Sequence, residues 1–142
     1  MQSLAELRKT TSIFFYHYWN PENGTVPTWS NPWEFEGSIP NRDMRGCYAL
    51  FKNDGLVYIG VAIGKVWGPY EGAGLSARLK TYWQYIRNDN DKTVGFKASG
   101  RFPDITGIRT IGFVKEHYWL AAALEIYLIS ELSPPYNQQH KK

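Results

Sequence analysis

The stretch GCYALFKNDGLVYIG, residues 46–60, constrains the fold more than any other part of the chain. Two runs of β-forming residues flank the turn-prone Asn53-Asp54-Gly55, so the stretch reads as an antiparallel hairpin. A two-residue turn at Asp54-Gly55 would pair Lys52 with Val57 and place Tyr48 and Tyr58 on opposite faces. A three-residue loop with Gly55 in the left-handed region pairs Lys52 with Leu56, Leu50 with Tyr58 and Tyr48 with Gly60. One face is then uniformly apolar: Cys47, Ala49, Phe51, Val57, Ile59 and Val61. The other carries Tyr48, Leu50, Lys52, Leu56, Tyr58 and Gly60. That segregation favours the three-residue loop, because a one-residue slip destroys it. Both tyrosines look away from the apolar face, and Gly60 opposite Tyr48 leaves room for something to approach. Plain packing of a second layer is the simpler explanation of two such rings.

Around the hairpin the other elements follow in order. Ser3 and Glu6 match a capping box and predict a helix of about two turns. The aromatic run at 13–19 reads as a strand, and residues 20–45, with Trp29 and Trp33, as an irregular arm on the surface. Residues 61–74 read as a glycine-punctuated loop. Leu75, Leu79, Tyr82, Trp83 and Ile86 have helical spacing, which predicts a helix over 75–87. Residues 88–107 read as loop, 108–114 as a third strand, and 117–132 as a helix stopped by Ser133-Pro134-Pro135.

A chain of 142 residues suits one domain with a real core. Net charge is +3, which permits a polyanionic partner without requiring one. The single Cys47 excludes an intramolecular disulfide and a multi-cysteine zinc site. With no apolar signal core or bilayer-length apolar run, the expectation is a cytoplasmic protein that does not enter a membrane. Aromatic residues make up 16% of the chain, more than packing requires, so some rings are candidates for a contact surface.

Glu125 stands alone in the last long helix: residues 118–124 and 126–129 carry no charge. A helix apolar on every side is normally buried, and a buried carboxylate must be compensated or neutralised. Its expected surroundings are an ion pair with Arg78 or Arg109, a metal ion, or a solvent-lined cleft. Arg78 borders the apolar stripe of the preceding helix, where it could snorkel, pair with Glu125 or grip a phosphate. His17, His117 and His140 lack metal-ligand spacing.

Together these pieces resemble the GIY-YIG nucleases. Gly46-Cys47-Tyr48 resembles the first signature triplet, and Tyr58-Ile59-Gly60 matches the second literally. LSARLKTYW resembles the family's arginine helix with Arg78, Glu125 resembles its metal-binding glutamate, and Pro134-Pro135-Tyr136-Asn137 its closing motif. The likeness covers residues 46–137 and leaves 1–45 as an N-terminal extension packed on a nuclease domain of 46–142. Tyr82 stands where many members have histidine, and no lysine directly follows the second triplet. The long gap between Gly60 and Arg78 is closer to the restriction-type members.

The resemblance implies an α/β (α+β) fold, with a small three-stranded, mainly antiparallel sheet flanked by helices. It implies hydrolysis of a DNA phosphodiester with Mg²⁺, or Mn²⁺, on Glu125. Arg78 would place charge on the phosphate, Tyr48 would act as general base, Tyr58 would orient the water or phosphate, and Asn137 would position groups. Lys65, Lys80 and Trp67 are the candidate DNA contacts, and a homodimer would serve double-strand cutting. The alternative is a catalytically silent nucleic-acid-binding module on the same fold, with Trp19, Trp29, Trp33 and Trp67 stacking on bases. A protein-docking domain ranks third.

Overall fold

Strand β1 (Arg45–Lys52) is buried along all but its last residue, which only a central strand covered on both faces can achieve. It pairs antiparallel with β2 (Gly55–Ala62) on one side and with a later strand, Gly107–Phe113, on the other. A computed structural model describes residues 1–63 and 74–138. In chain order these form helix α1 (Leu4–Tyr18), β1, β2, helix α2 (Leu75–Leu79) with a 3-10 turn at Lys80–Tyr82, β3 (Trp83–Arg87), β4 (Thr93–Ala98), β5 (Gly107–Phe113), α3 (Tyr118–Leu132) and α4 (Pro135–Gln138). The three-stranded sheet has the order β2-β1-β5, and β3-β4 form a separate two-stranded sheet. The fold is α+β, as expected. No helix among the described residues is long and apolar enough to cross a membrane.

The hairpin keeps the expected pairs Tyr48 with Gly60 and Leu50 with Tyr58, but reaches them differently. Lys52 pairs with Gly55, so Asn53 and Asp54 make the turn, and Asn53, not Gly55, takes positive φ (54°). An irregularity after Leu50 then absorbs one residue of β2, a bulge that puts two consecutive side chains on one face. Leu56 joins Phe51 on the helix-covered face, whereas Val57 joins Tyr58 on the other. Those two positions exchange the faces expected of them.

Each sheet face has its own core. On one, α1 and α3 cover Cys47, Ala49, Phe51 and Ile59. Leu7, Phe14 and Phe15 bring α1 into this core, each burial worth about 1.5–3 kcal/mol. The run at 13–19 is therefore mostly helix rather than strand. Its rings fall at helical spacing from Leu7, and packing on α3 overrides their β preference. Ser3 does cap the helix, accepting from the Glu6 N–H at 3.3 Å, but α1 runs to Tyr18.

The supposed surface arm is built into both cores, with Trp29 7% exposed in the first and Trp33 3% in the second. Trp29 Nε1 donates to the buried Thr11 hydroxyl at 2.8 Å. Neither ring can stack on a base. The arm also covers the outer edge of β5. Trp33 N–H donates to Ile108 O at 2.7 Å, Ile108 N–H donates back at 3.0 Å, and Ser30 N–H donates to Thr110 O at 2.8 Å.

The helix expected over 75–87 ends at Leu79, and the chain leaves as β3. From Trp83 the alternation of Trp, Gln, Tyr, Ile and Arg suits a strand, and β4, within the stretch read as loop, supplies its partner. Helix α3 is not buried all round. Leu120, Ala121, Leu124, Leu128 and Leu132 face the core, while Trp119 and Ile126 are two-thirds exposed.

Candidate active site

Tyr48 and Tyr58 lie on one face of the hairpin, but that face is not open. The Tyr48 ring lies across Gly60 so closely that a Cβ there would stand 2.2 Å from Tyr48 Cζ and 2.3 Å from its hydroxyl. The space that Gly60 leaves is filled by Tyr48 itself. Gly46 is required for a similar reason, since a Cβ would meet Ile111 O at 1.9 Å.

The 3-10 turn after α2 delivers Tyr82 over these rings. The Tyr48 and Tyr82 hydroxyls are 2.9 Å apart, with both side chains fully buried. Tyr58 completes the triangle, its ring centroid 6.3 Å from each, and remains 9% exposed. Phe102 stacks on Tyr82 at 6.0 Å with the planes 8° apart. Next to it, Arg101 lies over the Tyr58 ring at 5.3 Å, and its Nη1 donates to the Tyr58 hydroxyl at 3.3 Å. Arg101 escaped the sequence reading because residues 88–107 show no helical period around it; only the fold brings it to Tyr58.

Burial drives the Tyr48 phenol well above its ordinary pKa, and the neighbouring Tyr82 adds to this, while Arg78 pulls it down. Tyr82 is also raised, chiefly by burial. Between the ordinary value of about 10 and these raised values, the folded chain keeps protons that the unfolded chain has lost. Stability therefore falls as pH rises above about 10, and is independent of these groups' titration well below it. Tyr48→Phe removes one of them, so its urea midpoint should fall less steeply than wild type between pH 8 and 11. Equal slopes would contradict the burial of the Tyr48 phenol.

Arg78 lies in the last turn of α2 with its side chain exposed. It is near enough for its charge to lower the pKa of Tyr48, Tyr82 and Glu125 alike. Glu125 is half-buried on the flank of α3, and burial raises its pKa against the pull of Arg78. Among the described residues it makes no direct ion pair. Arg109 is engaged elsewhere, donating to Ser30 O at 2.8 Å and lying over Phe51. Of the surroundings expected for Glu125, a partly solvated position in the field of Arg78 is the one observed. On its core side is Cys47, fully buried, whose thiol donates to Ala121 O at 3.1 Å.

Asn137 does not reach into the tyrosine cluster with its amide. Its Oδ1 accepts from Ile59 N–H and its Nδ2 donates to Ile59 O, both at 2.9 Å. It covers the outer edge of β2 between Tyr58 and Gly60, and so positions the second tyrosine through the backbone. Asn137→Ala leaves both main-chain groups to water at a half-buried edge and should cost about 1–3 kcal/mol. An unchanged urea midpoint would refute the clamp. The neighbouring Tyr136 hydroxyl bonds to Asp104, which also faces Lys52 Nζ at 3.5 Å.

Lys80 is exposed and lines a groove with Arg42, Trp83 and Tyr85. Lys65 and Trp67, the other expected DNA contacts, lie outside the described residues, as does His140. Glu125 is a single carboxylate, and among the described residues no three His, Cys, Asp or Glu side chains converge. That donor set does not suit a closed structural metal site. It suits a hard divalent ion that keeps most of its shell as water and phosphate oxygen. No family model, curated protein or solved structure matches the chain.

Proposed function

We propose that the chain is a metal-dependent DNA endonuclease hydrolysing phosphodiester bonds beside the Tyr48–Tyr58–Tyr82 cluster. The observation that supports this most is the placement of Glu125. A carboxylate carried against burial on an apolar helix face, in the field of Arg78, is of no use to a core. It is useful where an anionic phosphate must be met by charge.

Arg78, whose charge reaches the tyrosine cluster, and Arg101, which lies over Tyr58, would offer planar forks to a phosphate whose own charge repels an incoming nucleophile. Glu125 would hold Mg²⁺ or Mn²⁺, which would supply positive charge to stabilise the leaving group. Tyr58, buried but less enclosed than Tyr48 and hydrogen-bonded to Arg101, is better placed than Tyr48 to take the proton of the attacking water. Burial favours Tyr48 as a neutral phenol, so its part is to fix Tyr82 and the floor of the site. Asn137 positions Tyr58 by clamping Ile59. One such site per chain makes a homodimer the simplest route to cutting both strands.

The test is incubation of supercoiled plasmid with the purified chain, in Mg²⁺ and in EDTA. Metal-dependent nicking or linearisation that Arg78→Ala removes is the expected result. No cutting of plasmid, of forked DNA or of single-stranded DNA would overturn the reading, leaving a silent nucleic-acid-binding module in its place.

A further inference from the structure

Between Tyr82 and Phe102, two rings of the same cluster, the chain leaves the core as the β3–β4 ribbon and returns. Its two legs are tied at the base. Ser99 N–H donates to Tyr82 O at 2.9 Å, and Gly100 passes so close that a Cβ would stand 2.1 Å from Thr81 O. At the far end the Asn88 side-chain oxygen accepts from Asn90 N–H at 2.9 Å and Lys92 N–H at 3.0 Å, so the turn has defined hydrogen bonding.

A two-stranded ribbon is marginal unless one face packs on something. Here the face of Trp83, Tyr85 and Phe96 does so, with Trp83 and Phe96 at 6.2 and 5.9 Å from the buried Trp33. The opposite face carries Gln84 paired with Lys97 and Ile86 paired with Gly95, and Gln84, Ile86 and Lys97 are exposed. Gln84 Oε1 accepts from the Ser99 hydroxyl at 2.7 Å, which orients the amide and leaves its N–H groups free to donate. Exposed cations stand at the base (Lys80) and near the tip (Lys92), where Asp89 and Asp91 are also exposed and Asp91 pairs with Arg87.

The major groove of duplex DNA admits a two-stranded β-ribbon, and amide and ammonium groups are donors that read base edges there. We infer that β3–β4 is a DNA-reading ribbon that enters the major groove beside the tyrosine cluster. Gln84 and Lys97 address base edges; Lys80 and Lys92 address phosphates. The inference deepens the proposed nuclease reading and rests on it for the consequence of binding, namely that the cut falls at a set distance from the sequence read.

The test is selection from a randomised duplex pool by the full chain in EDTA, where metal-dependent cleavage does not enter. Wild type should enrich a preferred sequence. Gln84→Ala/Lys97→Ala should lose about five- to a hundredfold discrimination at each base pair addressed, with an unchanged melting temperature. Lys92→Ala should instead weaken all sequences alike and reduce the salt slope of binding by about 0.9. Absence of any preference in wild type, or the same preference in the double variant, would overturn the ribbon's role. A sequence that is bound selectively but never cut would sink the nuclease reading and leave the ribbon standing.

Discussion

Glu125→Gln should abolish metal-dependent cleavage and at the same time raise the melting temperature. The loss should reach about 10²- to 10³-fold or more, the size seen when a single charge-stabilising group is removed from a transition state. The gain has a separate origin. Burial raises the pKa of Glu125 in the folded chain, so around and above its ordinary range the folded state binds more protons than the unfolded state. Stability therefore falls as pH rises through that range, and at neutral pH the carboxylate is a burden. Glutamine keeps the shape and lifts the burden. Plasmid cleavage and thermal melts at pH 7, with a second melt at pH 4, separate the two effects, since the gain should shrink in acid. A variant that cuts normally would remove Glu125 from the site. A variant that melts lower would mean that the carboxylate serves packing.

Gly60→Ala should strongly destabilise the hairpin by driving a methyl group into the Tyr48 ring. The added carbon would lie 2.2 Å from Tyr48 Cζ, on a ring that is fully buried and hydrogen-bonded to Tyr82. Overpacking of this kind costs about 1–3 kcal/mol when side chains can adjust. Here the cost should sit at or above the top of that range, because the ring has no free side to move to. Gly55→Ala is the control: its nearest contact is the sulfur of Met1, the end of a flexible side chain, so the loss should be small. Chemical unfolding of both variants checks the contrast. Tyr48→Leu in the Gly60→Ala background should recover part of the loss, giving a coupling energy where independent sites would simply add. Equal stabilities for the two alanine variants would contradict the contact.

The legible parts of the chain were those where local pattern and tertiary context agree. Alternation across 46–60 carries the hairpin, and the turn-forming residues after Leu132 carry the end of α3. The bulge that moves Val57 to the tyrosine face leaves no mark in a pattern where Leu56 and Val57 are equally apolar. Strand β3 is hidden because Tyr82, Trp83 and Ile86 have helical spacing, and only pairing with β4 decides for a strand. Within the candidate site, Glu125 and Arg78 stand out by residue type and surroundings, whereas Tyr58 enters only through the resemblance of its triplet to the nuclease motif. Arg101 does neither, since its relevance comes from lying over a ring that belongs to another strand. Asn137 enters through the resemblance of the closing motif, and the structure gives it a backbone to hold.

The two outer strands of the main sheet bear on assembly. On β5 the segment around Ser30 and Trp33 engages the main chain at Ile108 and Thr110, and on β2 Gln2 and Asn137 engage Leu56 and Ile59. Unpaired outer strands are where chains join edge to edge and grow into open-ended polymers. These hydrogen-bonding positions are already taken from within the same chain. Two copies therefore cannot merge into one longer sheet through these positions without first displacing a segment of their own chain.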